Sequence, residues 1–316
     1  MNQGRCLAVM YHYVRDREPD RGIRGLDKAT IERQIVQLCE VLTPIDWPTF
    51  HAWRAGRGSM PDDAVMLTFD DGLSDHFDVV APILNDRGIS GLFFAPTDAI
   101  GGDRLLHAHR VHLLLSKLGA DELTDAVTEH LRDELAGTFP LTAGEAREAE
   151  RIFHYEDRRL AHLKHLLANV LPIPARDDLL VDLFATRVGN EREYARRWYM
   201  NWDQLTELQS NGHTIGGHGH RHEPLGRLPV PEQVRDLVQC GTILAQQLGD
   251  RPRPFSYPFG GCSDDIARRC AFAGFANGFT TRRSWIGITD DAHRLGRVDT
   301  IDVDAFVEKE LQCIPS

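Results

Sequence analysis

Short apolar runs, each closed by polar residues and separated by stretches of helical periodicity, recur along this chain and constrain its fold more than any other feature. Residues 6–13 (CLAVMYHY) read as a first strand. Residues 28–42 follow with Ile31, Ile35, Leu38, Val41 and Leu42 at helical spacing. Residues 65–69 read as a buried strand, 77–87 as a helix stopped near Gly88, and 91–95 (GLFFA) as another buried strand. The rhythm returns with a helix over 202–210 that ends at Asn211-Gly212, a short strand over 213–217 and an amphipathic helix over 231–248. A strand at 255–257, a helix at 266–273 and a strand at 278–281 complete it. Strands alternating with helices predict an α/β fold with a parallel sheet or barrel.

The rhythm breaks at Pro96 and resumes only near His213. Between them, residues 101–199 are rich in Leu, Ala, Glu, Arg and His, with helical periodicity at 111–118, 123–135 and 160–170 and no convincing strand. We therefore expect one domain over residues 1–316, carrying a mostly helical insertion over 101–199. The histidines of that segment (His107, His109, His112, His130, His154, His162 and His165) lie among helix formers and charges and read as surface or packing residues. His107 and His109, near the entry to the insertion, are the better functional candidates among them.

With 316 residues, 42% hydrophobic and 26% charged, the chain has the composition of a globular protein. A formal net charge of -11, with no basic block interleaved with aromatics, argues against a nucleic-acid partner. No apolar run reaches the length of a membrane span, and the run 6–10 is too short for a signal-peptide core. Six cysteines (Cys6, Cys39, Cys240, Cys262, Cys270 and Cys313) lie scattered, without a Cys-x-x-Cys pair. This pattern predicts reduced, mostly packed thiols and a cytoplasmic location.

The stretch Val65-Met66-Leu67-Thr68-Phe69-Asp70-Asp71-Gly72 ends a buried strand in two adjacent carboxylates. On a continuing strand Asp70 and Asp71 would face opposite sides, but Gly72 can release the backbone into a turn that brings both to one pocket. There one acid could hold a cation while its neighbour takes a proton. An ordinary strand-to-loop turn would use the same residues. A second cluster follows the insertion, at Ile215-Gly216-Gly217-His218-Gly219-His220-Arg221-His222-Glu223-Pro224. His218 and His222 could meet at i, i+4 on a helical turn, although the flanking glycines and Pro224 favour a loop. Two imidazoles and one aspartate supply the three protein ligands of a catalytic zinc-type site, with coordination positions left open.

Thr68-Phe69-Asp70-Asp71-Gly72, then His218-x-x-x-His222, then Tyr257-Pro258-Phe259-Gly260 resemble the first three motifs of the polysaccharide deacetylases, the NodB-homology family or carbohydrate esterase family four. The resemblance covers about residues 6 to 100 and 200 to 300, in the family's order. It implies a distorted (β/α) barrel with its site at the C-terminal ends of the strands. It also implies that Asp70 is the general base and that Asp71, His218 and His222 hold a divalent metal: zinc first, with cobalt, nickel or iron as alternatives. Tyr257, Pro258, Phe259 and Gly260 would then shape the substrate loop: the two aromatics as an apolar wall, a backbone amide as an oxyanion donor, and Gly260 allowing close approach.

Two departures from the family's pattern stand out. Many members carry an arginine two positions before the proline of the third motif, where it orients the base. Here that position is Ser256, and Arg251, Arg253 and Arg297 are the candidates to substitute. No Leu-x-His tripeptide follows Gly260 to supply the general acid, which leaves His12, at the end of the first strand, and His293 as candidates, with His12 preferred. The expected activity is metal-dependent hydrolysis of an N-acetyl group, with O-acetyl second, on an amino-sugar or glycan precursor. Hydrolysis of another non-peptide C–N bond, such as deformylation, and a non-catalytic glycan-binding role are the alternatives.

Overall fold

We describe a computed structural model over residues 4–15, 23, 25–134, 141–153 and 156–312. Ten strands are present among them: β1 (Arg5–Tyr11), β2 (Val14–Arg15), β3 (Leu26–Asp27), β4 (Thr43–Pro44), β5 (Asp63–Phe69), β6 (Gly91–Ala95), β7 (Thr214–Gly217), β8 (Pro254–Ser256), β9 (Asn277–Phe279) and β10 (Val298–Asp299). Eight form one sheet in the order β10-β1-β5-β6-β7-β8-β9, with β4 beside β5, and every pairing is parallel. The expected strands at 6–13, 213–217, 255–257 and 278–281 shift by one or two residues at their ends, as cap and turn chemistry decides termini.

The sheet curls into the distorted (β/α) barrel. Leu295 forms a parallel bridge with Phe279 of β9, and Val298, three residues on, pairs with Val9 of β1. The short run 295–299 is therefore the seam where the two edges of the sheet meet. Alternation along the strands sorts side chains by face. Cys6 and Ala8 of β1, Ala64 and Met66 of β5, Leu92 and Phe94 of β6, Phe279 of β9 and Leu295 at the seam fall in one buried cluster with Trp47, Phe50 and Trp53 of the helix Trp47–Arg54. Thr68 and Asp70 continue the Ala64/Met66 row, and Arg297 continues the Leu295 row. On the other face of β5, Phe69 stacks between Tyr11 (5.2 Å) and Phe93 (4.9 Å).

Strand β7 holds Gly216 and Gly217 in its interior because neighbours press on the backbone there. A Cβ at Gly216 would lie 2.6 Å from Phe94 Cδ1 and 2.7 Å from the Pro254 carbonyl oxygen, and one at Gly217 would lie 2.8 Å from Phe275 Cε1. The helices Lys28–Val41, Trp202–Ser210 and Asp264–Phe272 are capped by Asp27, Asn201 and Ser263, whose side chains accept from the first-turn amides. The expected helix over 77–87 begins as a π-helical turn, His76–Val80, before Ala81–Asp86. Cys6, Cys240 and Cys270 are buried and Cys39 and Cys262 partly so, all as free thiols, while Cys313 lies outside the described residues.

The chain divides into two compact units, Met1–Glu18, Gly25–Gly102 and Arg196–Ser316 in the first and Pro19–Arg24 and Asp103–Ala195 in the second. The first contains the barrel. In the second, the helix His107–Glu134, kinked at Gly119 (φ 80°), packs with Arg158–His165 and Ile173–Arg187, and Leu114, Leu123, Leu163, Leu180 and Phe184 of these helices are buried. Glu191 accepts from Arg110 Nη2 (2.7 Å) and from the amide of Leu105 (2.6 Å), a partly buried tie between the two ends of that unit. No helix among the described residues is long and apolar enough to cross a membrane.

Candidate active site

Asp70 and Asp71 follow the last residue of β5, at its C-terminal end. Asp70 keeps the strand's direction: its amide donates to the Tyr11 carbonyl (2.9 Å) and its side chain joins the interior row. Asp71 then turns back with φ 76°, and Gly72 follows at φ 64°. The turn thus begins one residue earlier than the glycine alone suggested, and a non-glycine residue at positive φ is the kind of local strain that functional sites store. Among the described residues two further non-glycines have positive φ, His222 (56°) and Phe259 (59°), and their rings lie 5.2 Å apart.

His218 is the first residue after β7, and its amide donates to the Ala95 carbonyl (3.1 Å) at the end of β6. The segment from His218 to His222 is a loop, so the pair meets without a helical turn. His218 Nε2 lies 3.3 Å from Asp71 Oδ1, His222 Nε2 lies 3.2 Å from the same oxygen, and the two nitrogens are 3.1 Å apart. All three residues are buried, and their ligand atoms fall within 4.8 Å of one another. Nδ1 of His218 donates to the Ser256 carbonyl (2.7 Å), which fixes the tautomer that leaves Nε2 facing Asp71. Two imidazole nitrogens and one carboxylate oxygen at this separation fit zinc or a neighbouring divalent ion.

Beside this cluster Asp70 is held by Arg297. The guanidinium makes two parallel bonds to the carboxylate, Nη1 to Oδ1 and Nη2 to Oδ2, both 2.8 Å. Arg297 Nη2 also donates to Ser256 Oγ (2.8 Å), which in turn donates to Asp70 Oδ2 (3.1 Å). Nη1 donates to Thr68 Oγ1 (3.1 Å), Nε to the Thr280 carbonyl (3.2 Å), and the group lies 5.6 Å from the Phe94 ring centre. Burial by itself raises the Asp70 carboxyl, but the Arg297 charge, then His218, outweighs it and holds the group well below the usual carboxylate range. Burial lowers His218, and Asp70 and Asp71 more than reverse this, so its imidazole is raised above 6.5.

Of the three candidate arginines, Arg297 is the one bonded to Asp70. Arg253 instead binds the carbonyls of Ile215, Leu248 and Gly249, clamping the start of β8. His12 lies just past β1, near enough for its charge to act on Asp70, and its carbonyl accepts from the buried His76 Nε2 (2.7 Å). His293 is directed elsewhere. Its Nε2 bonds the Phe275 carbonyl (2.8 Å), two residues before β9 begins, so it sits toward the N-terminal ends of the strands and away from Asp70.

In the loop 257–260 the expected roles divide differently. Tyr257 is buried rather than lining a wall, with its hydroxyl on the His293 carbonyl (2.9 Å), because its ring packs under the loop against Phe255. Gly260 is required by the protein itself: a Cβ there would lie 2.1 Å from Thr281 Oγ1. The Tyr257 and Gly260 amides donate to the carbonyls of Phe279 and Tyr257, and Pro258, itself buried, has no N–H. Phe259 is half-exposed beside His222. His107 and His109 are buried within the helical unit, His162 pairs with Glu150 (3.0 Å), and His154 lies outside the described residues.

Sequence reasoning missed Asp236. It is buried in the helix Val230–Leu248, and its oxygens accept from the amides of His220 and Arg221, each at 2.9 Å. The signal was present: an acid on the apolar face of that helix, in register with Leu237, Cys240 and Leu244.

The family model described as polysaccharide deacetylase matches residues 164–278, which include His218, His222 and the 257–260 loop but neither Asp70 nor Arg297. No curated protein matches the chain. Among solved structures, IcaB from Ammonifex degensii has 17% identity and a TM-score of 0.61, covering 97% of each chain. The Streptococcus pyogenes deacetylase PplD in complex with acetate has 12% identity and a TM-score of 0.60, covering 96% of this chain and 97% of that one. The BpsB deacetylase domain of Bordetella bronchiseptica has 16% identity and a TM-score of 0.56, covering 94% and 96%. At these identities the likeness establishes the fold. The family match over residues 164–278 and the three motifs make the chain similar to the polysaccharide deacetylases.

Proposed function

We propose that the protein is a metal-dependent deacetylase that hydrolyses the N-acetyl group of an amino sugar in a glycan or glycan precursor. The observation that carries this reading is the convergence of Asp71, His218 and His222 on one point, with Asp70 alongside in the grip of Arg297. Asp71 Oδ1 and the Nε2 atoms of His218 and His222 would hold the ion, zinc first by donor type. A divalent ion at this point supplies a Lewis acid for the acyl carbonyl and makes a water molecule more acidic.

The chain's own residues supply the rest. Asp70 accepts the proton of the attacking water, and the Arg297 fork keeps it ionised and aimed before substrate arrives. Ser256 joins the two halves, touching the base through its hydroxyl and orienting His218 through its carbonyl. His12 is the residue we assign as acid for the leaving amine. Its support is its place at the end of β1, the effect of its charge on Asp70, and the fixing of its backbone by His76. Phe259, half-exposed beside His222, offers an apolar surface for the acyl methyl or the sugar face. An orienting arginine beside Asp70 favours this reading over non-catalytic glycan binding, for which a charged base has no use.

The test follows acetate released from an N-acetylated amino-sugar oligomer by zinc-, cobalt- or nickel-loaded protein. Asp70→Asn should lose at least ~100-fold in kcat, the usual size of a general-base contribution. Equal activity in that variant would sink the mechanism. His12→Ala should lose amide hydrolysis yet retain most hydrolysis of an activated aryl acetate, whose leaving group needs no proton. Equal losses on both substrates would remove His12 from the acid role.

A further inference from the structure

The ligand-bearing loop is gripped from two sides by groups that bind no metal themselves. From the end of β6, the Thr97 amide donates to the Gly219 carbonyl (3.1 Å), the Asp98 amide to the His220 carbonyl (3.0 Å), and Thr97 Oγ1 meets His220 Nδ1 (2.9 Å). From the helix Val230–Leu248, Asp236 reaches under the same loop, Oδ1 accepting from the His220 amide and Oδ2 from that of Arg221, both 2.9 Å. Gly219 sits between these grips at φ 74°, where a Cβ would stand 3.0 Å from Asp236 Oδ1. Asp236 is 5% exposed, so both bonds are made out of water, where a charge-assisted bond to an amide is strong.

We infer that Asp236 is a positioning residue that sets the spacing of His218 and His222 before a metal ion arrives, by fixing the two amides between them. The two ligands are set into the chain differently. His218 is anchored by β6 and by Ser256, whereas His222 stands four residues on, past a glycine, with its own backbone at positive φ. Asp236 holds two of the residues that connect them, and so removes the freedom that would otherwise be lost on binding the ion. A carboxylate suits this place because it offers an acceptor to each N–H. An amide side chain offers only one and turns an N–H donor toward the other.

This inference rests on the reading of Asp71, His218 and His222 as metal ligands, and the experiment separates the two. Zinc affinity of the full chain is measured by competition with a chromogenic chelator, for the parent, Asp236→Asn and Asp236→Glu, alongside thermal unfolding of the metal-free proteins. Hydrogen exchange of peptides spanning 218–222 is followed in parallel. We expect Asp236→Asn to bind zinc about 10- to 100-fold more weakly, the usual cost of losing a group that orients ligands, with faster exchange in the loop. Asp236→Glu, which keeps both acceptors, should fall between and serves as the readout if the Asn variant does not fold. A variant that unfolds at lower temperature but binds zinc within twofold of the parent overturns the inference, since Asp236 would then be structural only. A parent that binds no zinc, cobalt or nickel overturns the reading of the ligand set, and this inference with it.

Discussion

Ser256 is small, and the space it leaves beside Asp70 is taken by a guanidinium from Arg297, 41 residues further on. The fork geometry matters as much as the charge. Two parallel bonds at 2.8 Å fix the carboxylate plane, which a single ammonium cannot do. Arg297→Lys should therefore keep the fold and the substrate KM while lowering kcat by about 10- to 100-fold, roughly 1.4 to 2.7 kcal/mol of transition-state stabilisation. Steady-state kinetics on the loaded enzyme read this directly, and a change confined to KM would show that Arg297 serves binding instead. The Asp71, His218 and His222 cluster was legible in the sequence because these residues carry their chemistry in their residue types. Arg297 was legible only as one of three arginines. Choosing among them needs the seam of the barrel, where Leu295 pairs with β9 and Val298 with β1, and no local pattern announces that pairing.

Among the elements, the strands were readable because apolar runs of five or six residues have few other ways to be buried, and β5 and β6 emerged close to their expected bounds. Their ends were harder, since these depend on partners. The turn after β5 starts at Asp71, and at the next residue the Gly72 carbonyl accepts the Met200 amide (2.9 Å) and a Cβ would meet Ile100, contacts made by residues further along the chain. The helix expected over 77–87 opens instead with a π turn at His76–Val80. That irregular start places the His76 ring against Phe69 and Phe93 and its Nε2 on the His12 carbonyl. An extra residue in a helical turn is a common device for aiming a side chain at a functional segment. The 257–260 loop shows the opposite limit. Its motif was legible, but the inward packing of Tyr257 and the contact of Gly260 with Thr281 turn expected substrate contacts into loop architecture.

For the whole molecule, His76 ties stability to pH. It is fully buried, and its Nδ1 has no hydrogen-bond partner among the described residues, so a second ring proton would have nothing to bond. Burial lowers its imidazole from 6.5 to about 4, with the bond to His12 only partly opposing. Above pH 6.5 the ring is neutral in both folded and unfolded chains, and His76 then adds no pH dependence. Between 6.5 and about 4 the unfolded chain takes up a proton that the folded one refuses, so stability falls as the pH falls through that window and levels off below it. The full effect is on the order of 3 kcal/mol, since each tenfold loss of proton affinity on folding costs about 1.4 kcal/mol. His76→Gln keeps a donor for the His12 carbonyl but cannot take up a ring proton. Urea unfolding of the metal-free chains at pH 7.0, 5.5 and 4.5 should then show the parent losing stability faster than the variant, by roughly 2 kcal/mol more between the extremes. Carboxylates titrate in both proteins and cancel in the difference, so parallel curves would mean that His76 is not held neutral by the fold.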